Sequence, residues 1–368
     1  MNPDMTFPIS GIGLKLPQRV SLVTQTINLL KESIQADLWT GQLPGEHELC
    51  ESLCVSRVTL RKALDELQRE GWLRSRQGRR REIALRGRYP ATVSRQVVLL
   101  TPVALQNLTP FTIYWMDSLR EHLNKAGYHL EIRVGQAAFG AQLERSLAQL
   151  QVQLRPAGWV IYRSNEQMQQ WFSERNLPCV ITGSRHANIG LPSVDVDYRA
   201  ICRHAVGQFL GRKHQQLVFL NPESGLAGDL ESEQGFMAAA KNTSVAGVQA
   251  SVIRHDGTAE GVCKKIDLLL ERPTRFTALL VSRPAHVITA VSHLLCRGLR
   301  LPKDVALISR DADAFLDNLV PTVARYAAGP VVYARKVSRV VLAVVGGSAL
   351  SSPDIRIMPQ FISGHTLG

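Results

Sequence analysis

The sequence lacks the features that mark small secreted, membrane-spanning or metal-dependent proteins. Its 368 residues include only six cysteines, Cys50, Cys54, Cys179, Cys202, Cys263 and Cys296, with no Cys-x-x-Cys pair among them. This excludes a disulfide framework and fits reduced, mostly buried thiols. His47, Cys50 and Cys54 lie on one side of a short helix, but their spacing matches no common zinc pattern and no fourth ligand is evident, so no metal is expected. No apolar run approaches membrane-spanning length; VVLAVVGG at 340–347 is far too short. The first twenty residues carry no basic segment followed by an apolar core, so the expectation is a soluble, cytoplasmic protein without a secretory signal. There is no Gly-x-Ser-x-Gly elbow, no Gly-x-x-x-x-Gly-Lys loop and no metal-ligand cluster, which argues against an enzyme and against a cofactor.

What is present is an ordinary globular composition, 45% hydrophobic and 20% charged, with a formal net charge of +12. The length allows two or three domains. The positive excess is local: Arg57 to Arg95 holds twelve Lys/Arg against four Asp/Glu. Such a concentration suits a polyanionic partner.

Residues 1–16 read as a tail. Val20, Val23, Ile27, Leu30, Ile34 and Leu38 recur at helical spacing and predict a first helix over about 18–38. Glu46 to Leu53 make a second helix, with Leu49 and Leu53 inward. Cys54-Val55-Ser56 form a turn, with Val55 plugging the gap and Ser56 capping a third helix that runs to about Glu70. Leu60, Ala63, Leu64 and Leu67 give that helix its buried stripe. Gly71 ends it, and a hairpin follows from Trp72 to Leu85. This succession is a winged helix-turn-helix, which places one helix in the DNA major groove.

The exposed start of the third helix carries Ser56, Arg57, Thr59, Arg61 and Lys62. Arg57 and Arg61 are four apart and share a face. Arginine pairs bidentately with guanine, and Thr59 can meet a phosphate or a thymine methyl. The hairpin tip contains Arg76, Gln77, Gly78, Arg79, Arg80 and Arg81, suited either to phosphates or to a narrow minor groove. An operator read by such a head is expected to be palindromic duplex DNA bound by a homodimer, because half-sites one helical turn apart need two heads.

This segment resembles the GntR family of bacterial regulators over about Ser21 to Leu85. The resemblance rests on Leu43-Pro44-Gly45-Glu46-His47-Glu48-Leu49, on Val55 to Arg61, and on Ala63 to Gly71. It implies DNA contacts from Ser56, Arg57, Thr59, Arg61 and Gly78. The chain departs from the pattern at His47, where many members have arginine, and at the hairpin tip, which reads Gln-Gly-Arg-Arg.

After a linker at 87–95, apolar strands alternate with helices to the end of the chain. Val97–Leu100, Gly158–Tyr162, Cys179–Thr182, Gln216–Leu220, Ala278–Val281 and Val305–Ile308 are the clearest strands, and the helices between them include one near Tyr114–Ala126 and one over Glu231–Ala240. Buried runs of this kind imply parallel sheets covered on both faces. The whole chain is therefore expected to be α/β, with a winged helix-turn-helix over 17–86 and a two-lobed body over 96–368.

The body resembles the LacI/GalR regulators and the related periplasmic sugar-binding proteins. The segments that carry this are Gly158–Ile161, Pro178–Ile181, Pro192–Asp197, Gly211–His214, Gly235-Phe236 and Gly298–Val305. The resemblance implies a first lobe of about 96–193 plus 322–350 and a second of 194–321 plus 351–368. Crossovers would fall near Pro192–Asp195, Val320–Thr322 and Leu350–Pro353. A small-molecule effector, such as a sugar or sugar derivative, would bind between the lobes. Family pocket positions fall on Phe111, Thr112, Ser164, Asp197, Ser232, Arg283 and Asp311, residues that could equally only cap strands. Arg283 could meet an anionic ligand or pair with Asp311. The expected function is ligand-controlled transcription, as a repressor. The competing readings are a body that serves only as a dimerisation scaffold and, remotely, an α/β enzyme.

Overall fold

A computed structural model describes residues 21–35, 38–39, 41–74, 81–83 and 94–368. The chain divides into two compact units, Met1–Thr92 and Val93–Gly368. The expected tail at 1–16, the hairpin tip at 76–80 and most of the linker at 87–95 lie outside the described residues.

The first unit contains α1 (Leu22–Gln35), α2 (Glu46–Leu53) and α3 (Arg57–Arg69), followed by β1 (Leu73–Arg74) and β2 (Glu82–Ile83). Ser21 starts α1, its hydroxyl accepting from the Thr24 N–H at 3.1 Å. The expected helix over 18–38 is shorter among the described residues, and Leu38 is 68% exposed rather than on the buried stripe. Helix α2 ends at Cys54, which adopts φ 52 and returns its N–H to Cys50 and Glu51 carbonyls. Gly71, at φ +79, reverses the chain after α3. Strands β1 and β2 pair antiparallel, Leu73 opposite Ile83. Leu30, Leu49, Leu60, Leu64, Leu67 and Trp72 form the core of the head.

The second unit begins with β3 (Gln96–Thr101), α4 (Pro110–Lys125), β4 (His129–Val134), α5 (Leu143–Leu154), β5 (Gly158–Tyr162), α6 (Glu166–Glu174), β6 (Cys179–Thr182) and β7 (Ser193–Val196). It continues with α7 (Tyr198–Gly211), β8 (Gln216–Pro222), α8 (Ala227–Lys241), β9 (Gln249–His255), α9 (Ala259–Leu270), β10 (Ala278–Val281), α10 (Pro284–Cys296), β11 (Ala306–Ser309) and β12 (Ala324–Ala327). The last elements are α11 (Pro330–Val345), β13 (Asp354–Ile357) and β14 (Gln360–Ile362). Two six-stranded sheets result, in the orders β13-β7-β6-β5-β3-β4 and β14-β12-β11-β10-β8-β9. Every pairing is parallel except β12 with β14.

Alternation within the strands divides each core in two. Val97 and Leu99 face α4 and α11, whereas Val98 and Leu100 face the side of Trp159 and Phe172. Leu217 and Phe219 meet Phe209 and Phe236, whereas Val218 and Leu220 meet Ile266 and Val291. Covering both faces explains why these strands are apolar throughout. Gly235 is required where α8 crosses α7, since a Cβ there would come within 2.9 Å of the Arg199 Cα.

The lobe boundaries differ from the expected ones at all three crossovers. Strand β7 stays in the first sheet through Val196, because the Asp197 N–H still bonds to the Ile357 carbonyl at 2.9 Å. Strand β12 belongs to the second sheet, pairing with β11. Strand β13 pairs with β7 and so returns to the first. The chain therefore changes lobe near Asp197, near Ala328–Gly329 and near Met358–Pro359, each a few residues later than expected. Hydrogen-bonded ladders, which extend beyond the apolar runs, set these points.

Leu119 is fully buried on α4 while Tyr114 is 62% exposed on the same helix. Leu119→Ala should lower stability by about 2–5 kcal/mol, read as a fall in the urea midpoint. Tyr114→Ala should leave that midpoint nearly unchanged.

Candidate functional sites

The helix-turn-helix presents its third helix through a fixed cap. The Ser56 hydroxyl accepts from the Thr59 N–H at 3.2 Å and lies 2.9 Å from the Thr59 hydroxyl. Ser56, Arg57, Arg61 and Lys62 are exposed and Thr59 is half-buried, so these expected contact residues lie together on the first turns of α3. Val58 is also 67% exposed there, a residue that the apolar stripe gave no reason to place outward. Arg61 is not free: its Nε donates to Glu46 Oε2 at 2.9 Å. Arg81 turns back to the helices, its Nη2 lying 3.3 Å from Asp65 and 3.8 Å from Glu46. Arg81 therefore ties the base of the hairpin to α3. Arg76, Gln77, Gly78, Arg79 and Arg80 lie outside the described residues.

In the second unit a cavity of about 230 Å³ lies at the carboxyl ends of the strands, between the two lobes. Phe111, Thr112, Ser164, Arg283 and Asp311 line it, among the residues singled out by sequence. Phe111 and Thr112 reach it because α4 starts early, Thr109 capping the Thr112 N–H ahead of the expected start. The Thr112 hydroxyl lies 3.1 Å from that of Tyr162. Phe111, Trp115, Tyr162 and Tyr333 make an aromatic wall, with neighbouring ring centroids 5.5–5.8 Å apart.

Asp197 and Ser232 are placed differently. Asp197 caps α7, accepting from the Ala200 N–H at 2.9 Å. Its carboxyl is used by its own helix because β7 ends one residue before it. Ser232 is fully buried on α8; it donates to the Gly228 carbonyl and accepts from Arg310. It supports the cavity from behind.

The residue that sequence reading passed over is Arg310. Its side chain is completely buried at the end of β11. Nη1 donates to Asp229 at 2.7 Å and to Ser232 at 2.9 Å, and Nε and Nη2 engage Asp311 at 3.1 and 2.9 Å. The guanidinium lies over the Tyr198 ring, 4.3 Å from its centroid. Arg283 donates to Asp229 at 2.6 Å and approaches Asp311 at 3.5 Å. Two arginines and two aspartates thus form a closed quartet. Burial drives the Asp229 carboxyl upward, but Arg283 and Arg310 outweigh it and hold it at about 2.

A second ionic cluster bridges the lobes. Arg356 on β13 donates twice to Glu231 on α8, at 2.7 and 2.9 Å. Asp354 and the Ser184 hydroxyl accept from it as well, and its Nε lies 3.0 Å from Asp354. Ser184 also contacts Asp195 at 2.8 Å. Burial pushes the Asp195 carboxyl up to about 6, against the hydrogen bonds from Ser184 and Val196. Among the described residues, no group of three or more His, Cys, Asp or Glu is placed to hold a metal ion, and no helix is long and apolar enough to cross a membrane.

Comparison with known proteins agrees with both halves of this description. Residues 22–83 match the family of bacterial regulatory proteins, gntR family, and residues 206–367 match the periplasmic binding protein-like domain. The chain is a DNA-binding transcriptional regulator with an effector-binding domain. More particularly, it joins a GntR helix-turn-helix domain to a LacI-like, periplasmic-binding-protein-like body. It is similar to the arabinose metabolism transcriptional repressor of Geobacillus stearothermophilus, 24% identical over 78% of this chain and 82% of that protein. It is also similar to the HTH-type transcriptional regulator AscG of Escherichia coli K12, 24% identical over 49% of this chain and 55% of AscG. A solved complex of the transcriptional regulator CelR with cellobiose shares its fold, with a TM-score of 0.65 at 16% identity over 88% of this chain and all of that one.

Asp229→Asn would leave the buried guanidinium of Arg310 with Asp311 alone. This should destabilise the body by about 3–5 kcal/mol, visible as a lowered thermal midpoint at neutral pH. A carboxyl with a depressed folded pKa contributes its full stability above the ordinary range and loses it as pH falls through about 2. The stability gap between wild type and Asp229→Asn should therefore narrow between about pH 4 and pH 2.

Proposed function

We propose that the chain is a homodimeric repressor whose hold on a palindromic operator is set by a small hydroxyl-bearing effector, a sugar or sugar derivative, in the interlobe cleft. The observation that carries the DNA half is the capped, outward-facing start of α3. Arg57 and Arg61 read base edges, and Ser56, Thr59 and Lys62 meet the backbone, with Val58 available to a thymine methyl. Arg61 exchanges Glu46 for a base on binding, a small loss because an exposed ion pair contributes little. Arg76, Gln77, Gly78, Arg79 and Arg80 are assigned to phosphates or the minor groove on sequence alone.

The cleft supports the effector half. Hydroxyl and carboxyl groups converge there beside an aromatic wall, the combination that fixes a small polar ligand. Arg283, which could have met an anion, is occupied by Asp229. The repressor name of the Geobacillus relative and the cellobiose named with CelR point the same way. Effector control requires that the ligand bind the operator-bound and operator-free states unequally.

The test begins with a duplex selected by the protein from random sequence. At 150 mM salt, conditions under which ordinary specific sites exceed random DNA by a thousandfold or more (~10³), the selected duplex should outcompete random duplex by at least about that factor. Arg61→Ala should weaken the selected site roughly 10- to 100-fold and random duplex far less; equal weakening of both would assign Arg61 to phosphate alone. Arg79→Ala with Arg80→Ala should reduce the salt slope by about one unit per lost phosphate contact. Failure of the selected duplex to outcompete random DNA would end the regulator reading of the head.

A further inference from the structure

The buried charges of the cleft can be paired off residue by residue, and one remains. Arg283 and Arg310 are neutralised by Asp229 and Asp311. Four of the five N–H donors of Arg356 are hydrogen-bonded: Nη1 to Glu231 at 2.7 Å and Ser184 at 2.8 Å, and Nη2 to Glu231 at 2.9 Å and Asp354 at 3.2 Å. Its Nε lies 3.0 Å from Asp354 as an ion pair. Arg185 stands 4.0 Å from Asp354 and balances the remaining acid of that group.

Asp195 has no such partner. It lines the cavity and is only 7% exposed. Its Oδ1 accepts from the Val196 N–H at 2.8 Å, and its Oδ2 lies 2.8 Å from the Ser184 hydroxyl. That hydroxyl has one proton, and Glu231 contacts it as well, at 2.9 Å. Two carboxylates therefore compete for one donated hydrogen, so Asp195 has no countercharge in contact with it and its Oδ2 has no assured donor. The charged and titratable groups around it are Glu231 on α8, Arg356 and Asp354 on β13, Tyr198 on α7 and Tyr333 on α11; the guanidinium of Arg356 is engaged by Glu231, Asp354 and Ser184. Arg163 lines the same cavity as an exposed side chain, where water screens it.

We propose that the effector carries a protonated amine that docks on Asp195, and that the cleft selects against phosphorylated or otherwise anionic ligands. This rests on reading the cleft as the effector site. An ammonium supplies the missing charge and donor together, and aromatic faces such as Trp115 and Tyr333 attract a cation. A phosphate would find the quartet arginines already neutralised and would be repelled by Asp195.

The test is calorimetric titration of the full chain with galactosamine and glucosamine, each against its hydroxyl twin, galactose or glucose, and against glucose 6-phosphate. At least one amine should bind about tenfold or more tightly than its twin, the gain expected of a charge-assisted bond, with glucose 6-phosphate weakest. Asp195→Asn should erase the preference. Independently of any variant, amine affinity should fall roughly tenfold per pH unit below about 6, as the carboxyl gains a proton. Equal binding of amine and twin, tighter binding of the phosphate, or no binding by either amine overturns the proposal. Operator affinity separates this result from the broader reading. A hydroxyl twin that binds and shifts operator affinity would sustain effector control while removing the amine. An amine that binds without moving operator affinity would do the reverse.

Discussion

Burial of the Arg310 guanidinium is the constraint from which the architecture of the cleft follows. A cation removed from water costs several kcal/mol unless it is paired and hydrogen-bonded, and this one has no exposed side-chain surface. Asp311 comes from the next residue of the chain, but Asp229 must be delivered by a different element. The first turn of α8 is held where it can do so, and Ser232 one turn later adds a hydroxyl. The close crossing at Gly235 lets α8 lie against α7 in that position. Glu231, two residues beyond Asp229, then reaches Arg356 in the other lobe. Helix α8 is at once the countercharge for its own lobe and a partner for the opposite one.

The head uses charge for a different purpose. Its acids orient arginines rather than compensate burial. Glu46 engages Arg61, Asp65 engages Arg81, and Glu46 lies near both. The exposed Arg61–Glu46 pair contributes little to stability. What these contacts do is restrict where the long side chains of Arg61 and Arg81 point. The Ser56 cap plays the corresponding part for the backbone, fixing where α3 begins.

Much of this architecture was legible because the signals were local. Gly158–Tyr162, Cys179–Thr182 and Ala278–Val281 have the expected bounds, since short apolar runs between polar residues coincide with strands buried on both faces. Helices α4 and α8 begin four residues ahead of expectation, because their first turns face the cleft and carry no core stripe. The same cause limited the site. Asp195 and Asp197 are two apart and look equivalent in sequence, yet β7 ends between them, leaving one in the cavity and the other on a helix cap. Arg310 ends an apolar strand, where an arginine ordinarily marks the return to solvent. Glu231 and Arg356 stand 125 residues apart and have no meaning for one another until two sheets are built.

These separations bear on how a ligand could matter to the lobes at all. A small molecule shifts a conformational equilibrium only by its difference in affinity between states. The Glu231–Arg356 pair already joins the lobes through α8 and β13 with the cleft's own groups. An effector whose donor satisfies Asp195 would do more than fill space, because it would relieve the competition for the Ser184 proton. That hydroxyl could then serve Glu231 alone, completing the hydrogen bonding of the residue that crosses between lobes. Under this reading the ligand and the lobe junction are linked through a single hydroxyl group. The linkage would survive loss of any one aromatic contact in the cleft but would not survive loss of Ser184.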